Sequence, residues 1–86
     1  MPDALVKLFR GEATPTQVIV SAKDRDAQRQ RENECVAYFF LAQHMLIQGD
    51  RKSAAEYFRR TLATGVTYFR QYAVAKLELD RIAPSN

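Results

Sequence analysis

The chain carries one histidine and one cysteine, so a thiol and imidazole pair could be built only from Cys35 and His44. They stand about nine residues apart, which on one helix separates them by ~13 Å along the axis. That is too far for the imidazole to take a thiol proton. Cys35 lacks the Cys/His company of a zinc site and cannot form an intramolecular disulfide; it reads as a small buried hydrophobe. The glycines Gly11, Gly49 and Gly65 stand alone, so no phosphate-cradling loop is present. Asp24 with Asp26, and Glu32 with Glu34, sit at a two-residue spacing that points them to different sides of a helix. The expectation is a chain with no catalytic residue, no cofactor and no metal site. What chemistry remains is cationic. Arg51, Lys52, Arg59, Arg60, Arg70, Lys76 and Arg81 outnumber Asp50, Glu56, Glu78 and Asp80 in the second half. If Arg59, Arg60 and Arg70 cluster, they could hold an acidic peptide or a nucleic-acid backbone. The net charge of +3 is too small to argue for nucleic acid by itself, and nucleic acid ranks below a protein partner.

These residues must be held by short helices. With 86 residues, 47% hydrophobic and 27% charged, and only three Gly and three Pro, the composition fits a single domain over residues 1–86 and rules out a multidomain enzyme. The longest apolar run, Val36 to Ala42, falls short of the ~18 residues of a membrane span. Lys7, Arg10 and Glu12 interrupt any signal-peptide-like stretch, so the chain as written is expected in the cytoplasm. The punctuation predicts five helices. Pro2 to Arg10 is stopped by Gly11. Thr14-Pro15-Thr16-Gln17 is a capping box that opens a short helix ending near Ala22. A long helix runs from Asp24 to Gln48, its charged first half solvated, its second half placing Cys35, Tyr38, Leu41, Ala42, Met45 and Leu46 at helical steps. Gly49 ends it and Asp50 caps a helix from Arg51 to Thr64 that buries Ala54, Ala55, Phe58 and Leu62. Thr67 caps a last helix, Tyr68 to about Ile82, ended by Pro84 and followed by a frayed tail.

Compared with itself at an offset of ~34 residues, the chain places Tyr38 on Tyr72, Leu41 on Ala75 and Met45 on Leu79. Tyr38-x2-Leu41-Ala42-x2-Met45 followed by Ala54-x3-Phe58, with Gly49-Asp50 at the turn, resembles the tetratricopeptide repeat. The pattern departs at Met45, Thr61 and Val66. Residues 1–33 then form a helical lead-in, 34–67 one complete repeat and 68–83 a capping helix. The aromatic-rich run Cys35 to Ala42, with Gly49-Asp50 and Gly65-Val66-Thr67-Tyr68-Phe69, is similar to the C-terminal part of bacterial tetratricopeptide lipoproteins of the NlpI type. If the chain is a piece of such a lipoprotein, a periplasmic or membrane-associated location would follow.

That resemblance implies an all-α fold of antiparallel helix hairpins and a catalytically inert adaptor that binds a segment of another protein in a groove. By position, the groove would be lined by Val36, Phe39, Gln43 and Leu46 from the long helix and by Arg70, Ala73 and Leu77 from the last. Members that grip a C-terminal carboxylate use Lys and Asn where Phe39 and Gln43 stand, so that clamp does not carry over. Two alternatives stay open: self-association as a homodimer through aromatic surface such as Phe39, Phe40 and Phe69, and binding of nucleic acid or an acidic ligand through the basic face.

Overall fold

The computed structural model describes residues 2–82. Among them the chain is all-helical: α1 (Pro2–Phe9), α2 (Pro15–Ser21), α3 (Ala27–Ile47), α4 (Arg51–Ala63) and α5 (Arg70–Ile82). The helix ends follow the local chemistry. The Gly11 amide donates to the Leu8 carbonyl and the Glu12 amide to that of Lys7, at 3.0 and 2.7 Å. Gly49 repeats the arrangement at the end of α3, where its amide reaches Leu46 and that of Asp50 reaches Met45. Both are left-handed terminators, with φ of 77° and 81°, a region where a side chain would clash with the backbone. At α2, Thr14 Oγ1 accepts from the Gln17 amide while Gln17 Oε1 accepts from the Thr14 amide, completing the capping box.

Two boundaries differ from the sequence reading. The long helix starts at Ala27, not Asp24: Asp26 is its cap, accepting from the amides of Gln28 and Arg29. Asp24 instead accepts from the Asp26 amide at 2.9 Å, in a turn that competes with helix. The last helix begins at Arg70, and Thr67 is not its cap; the Thr67 amide donates to the Gly65 carbonyl. Val66 is buried and Tyr68 is bonded to Glu32 and Gln28 of α3, and these two anchors hold the intervening backbone in a turn. The Pro84 stop and the tail lie outside the described residues.

Two apolar clusters hold the helices together. In the first, Leu8 of α1 and Val18 and Ala22 of the α2 region meet Ala37 and Leu41 of α3. In the second, Ala42 of α3, Ala54 and Phe58 of α4 and Ala75 of α5 form the centre, flanked by Phe39, Met45, Leu46, Leu62, Leu79 and Ile82. Alanine at the crossings lets the helix axes approach closely, and Phe58, wholly buried, fills the remaining space. Tyr57 packs against both clusters. α3 and α4 form an antiparallel hairpin across Gly49-Asp50, and α5 packs along α4 and part of α3. The result is a slab with extents of 39 × 29 × 16 Å. Cys35 is buried as expected, and Ala37, outside the anticipated stripe, is buried too, so α3 is covered on more than the one face anticipated.

Thr61, where the repeat pattern has alanine, is fully buried. Its hydroxyl donates to the Tyr57 carbonyl at 3.0 Å, so the burial leaves no orphaned polar atom. Val66, where the pattern has proline, is buried beneath the turn it helps to fix.

Candidate interaction surface

The internal echo gives the surface its logic. Residues spaced by three and four along a helix share one side, so Val36, Phe39, Gln43 and Leu46 form a stripe on α3, and Arg70, Ala73 and Leu77 form its echo on α5. The structure treats the two stripes differently. All four α3 residues are half-buried. Phe39 meets Phe58 edge to face at 6.0 Å and, with Leu46, flanks the second cluster. All three α5 residues are exposed, Leu77 by 63%. The α3 stripe is therefore partly consumed by packing, and the α5 stripe is uncovered by any described residue.

The aromatic surface expected of Phe39, Phe40 and Phe69 is smaller than anticipated, because all three are half-buried. Phe39 and Phe40 pack edge to face at 5.2 Å, as do Tyr68 and Phe69 at 5.3 Å. The larger uncovered apolar side chains are Val6, Phe9, Val20, Ile47, Tyr68 and Leu77. Two of them, Val6 and Phe9, join Leu5, Arg10 and Phe40 around a shallow apolar hollow of about 390 Å³ between α1 and α3. Sequence reasoning missed this hollow. Its signal was there: Leu5, Val6, Leu8 and Phe9 make α1 apolar on more sides than one buried stripe needs, and only Leu8 among them is fully buried.

Several of the charged residues are engaged by their own chain. Arg59 and Arg60 pair with Glu56 at 3.6 and 3.7 Å. The Arg60 guanidinium also lies 5.9 and 5.6 Å from the ring centres of Tyr38 and Tyr57, which stack on each other. Arg29 reaches Asp24 at 3.9 Å and Arg31 bonds Gln28. Tyr68 donates to the Glu32 carboxylate, and that bond pushes its phenol above the ordinary range. Asn33, which the pattern gave no reason to single out, donates to the Ala22 carbonyl at 3.2 Å and ties the end of α2 to α3.

Cys35 is fully buried, and burial pushes its thiol up, an effect the Thr64 hydroxyl partly offsets. A raised, covered thiol is a poor nucleophile. His44 sits edge-on to Phe9 with ring centres 5.3 Å apart and its Nε2 is 3.0 Å from the side-chain Nε2 of Gln48. It is thus a packing residue between α1 and α3. Among the described residues, no three His, Cys, Asp or Glu side chains converge as a metal site, and no helix is long and apolar enough to cross a membrane. Compared with models of protein families, with curated proteins and with solved structures, the chain matches none of them.

Proposed function

We propose that the chain is a non-catalytic interaction module of tetratricopeptide type that takes a segment of a partner protein across α3 and α5. The observation that carries this is the contrast between the equivalent stripes: Arg70, Ala73 and Leu77 stand uncovered, whereas the α3 stripe is half-buried. A bound segment would complete on α5 what α4 and α5 already provide on α3. Leu77 and Phe39 supply apolar contact, Gln43 a hydrogen-bonding amide, and Arg70 a partner for a carboxylate. Peptides selected from a displayed library against the wild-type protein test the reading. Gln43→Ala and Arg70→Glu should each weaken their binding by ~10-fold or more while leaving the helical circular dichroism unchanged. Undiminished binding by both folded variants would refute the groove.

A second reading, self-association, is favoured by the uncovered Val6, Phe9 and Leu77. Nucleic-acid binding has less support, since Arg59 and Arg60 are already paired with Glu56. It predicts steeply salt-dependent retention on a polyanion.

A further inference from the structure

Four connections join the five helices, and three of them turn on a glycine held at positive φ: Gly11, Gly49 and Gly65. The connection between α2 and α3 has none. Ala22-Lys23-Asp24-Arg25-Asp26 contains no glycine, no proline and no positive φ, so nothing in the backbone compels the chain to turn there. Side chains hold the turn instead. Asp24 accepts from the Asp26 amide and pairs with Arg29 at 3.9 Å, Gln30 Oε1 accepts from the Asp24 amide, and Asp26 caps α3. The same five residues are also able to be helical, which would make α2 and α3 one rod from Pro15 to Ile47, about 50 Å long.

In the closed chain α2 runs back along α3. Asn33 donates to the Ala22 carbonyl, and Val18, one turn before Ala22, joins Ala37 and Leu41, one and two turns past Asn33. Ala22 is thus level with Asn33 and Val18 with Ala37, a register that two antiparallel rods from two copies reproduce. Carried through the connection, it sets Asp26 against Arg29, Asp24 against Arg31 and Lys23 against Glu32 of the other copy, with Arg25 against Gln30. These are all the charged residues between Ala22 and Asn33, and no like charges oppose one another. Ala22, Asp26, Arg29 and Asn33 follow at three- and four-residue steps and so share the side on which the rods meet. Tyr68 holds Gln28 and Glu32, on an adjoining side of α3, and keeps its place.

We propose that two copies exchange α1 and α2 by straightening this connection, so that Leu8, Val18 and Ala22 of each dock on Ala37 and Leu41 of the other. The occupant follows from the fold, because that face of α3 is covered by α1 and α2 and a second copy offers the same segment. The first cluster is rebuilt between chains, and the pairing closes as a two-fold dimer. Straightening gives up the Asp24 turn and the Asp26 cap and gains helix hydrogen bonds and the paired charges. Tethering holds a chain's own α1 and α2 at an effective concentration on the order of 1 mM, so the closed monomer prevails at micromolar concentration. The exchange leaves the α5 stripe where it is, so the groove stands or falls separately.

Sedimentation equilibrium from about 10 μM to about 2 mM, which brackets that effective concentration, tests the exchange. The mass should rise from monomer and level at dimer. Asp24→Ala, which loosens the turn and favours helix, should lower the midpoint by ~10-fold. Arg25→Pro should stay monomeric, since proline interrupts a continuous helix, and the Arg25 amide makes no hydrogen bond among the described residues. Arg29→Glu should stay monomeric too, because it opposes like charges across the seam while placing an acid favourably in the first turn of α3. Both variants should keep the helical circular dichroism of wild type.

The exchange itself is read by pulsed electron paramagnetic resonance with nitroxides on Thr16→Cys and Gln48→Cys, both exposed, while buried Cys35 escapes labelling. Refolded at millimolar concentration in excess unlabelled chain, the labels report the distance within one chain. In the dimer it should be about 48 Å, beyond the 39 Å longest extent of the single chain. A chain that stays at monomer mass to about 2 mM would overturn the proposal. So would a dimer whose intrachain distance stays below 39 Å, or one that survives Arg25→Pro.

Discussion

The two halves of the slab solve the packing problem differently. α3, α4 and α5 are long enough to share a continuous seam, with alanine at each crossing and Phe58 locked among them. α1 and α2 have eight and seven residues, below the ~12–15 at which a helix approaches stability alone. They exist because Leu8, Val18 and Ala22 dock on Ala37 and Leu41, and they leave Val6, Phe9 and Val20 half or nearly half exposed. The hairpin half closes around a continuous seam while leaving Ile47 and Leu77 exposed, and the lead-in half is held only on the side facing α3. The lesson is that the lead-in should open at lower free energy than the hairpin.

The largest expected effect separates the two most sharply. Phe58→Ala removes the side chain around which α3, α4 and α5 close, at a cost of ~3–5 kcal/mol. Against the ~4–13 kcal/mol typical of a domain this size, that should abolish cooperative unfolding or lower Tm by tens of degrees, as read by thermal circular dichroism. Leu8→Ala, costing ~2–4 kcal/mol, should act on one half only. Native-state hydrogen exchange should show α1 and α2 amides losing protection while those of α4 keep theirs. Equal loss in both halves would merge them into one cooperative unit.

The smallest effect exploits the caps. α2 is capped by the Thr14 hydroxyl, which does not titrate, while α4 is capped by the Asp50 carboxylate. Hydrogen bonds from Ser53, its backbone amide first, hold the Asp50 carboxyl below its ordinary value of 3.8. The cap therefore stabilises the folded chain above about pH 4, and the contribution disappears as the pH falls through the lower folded value. In acid, the protection of the Ser53 amide, corrected for intrinsic exchange, should fall in wild type and not in Asp50→Ser, whose hydroxyl cap is insensitive to pH. The Thr14→Ala penalty on α2, ~1 kcal/mol, should be the same at both pH values.

Much of the fold was legible because its signals are local. Thr14-Pro15-x-Gln17, Gly11, Gly49 and Asp50 each act through neighbours within a few residues, and each helix end they marked is where the structure has it. One misplaced boundary lies beside a distant contact, and the other turns on a local choice. Thr67 would cap a helix but for Tyr68, whose hydroxyl is held by Glu32 on another helix. Asp24 lost the role of helix start to Asp26, a choice between two similar residues that periodicity could not make. The candidate surface was legible only as positions. Spacing placed Arg70, Ala73 and Leu77 on one stripe, but nothing in the spacing said that the α5 stripe is open while Phe39 and Leu46 are drawn into the second cluster. The hollow at α1 was illegible for the same reason, since Leu5, Val6 and Phe9 meet Phe40 only once α1 has docked.

The central claim is that the α3/α5 side, and the α5 stripe in particular, is where partners are taken. Chemical-shift mapping at micromolar concentration, with a peptide selected against the wild-type protein, tests it most directly. The account predicts perturbations concentrated at Arg70, Ala73 and Leu77 on α5 and at Val36 and Gln43 on α3. Perturbations confined to α2, or to Arg59 and Arg60 on α4, would contradict it.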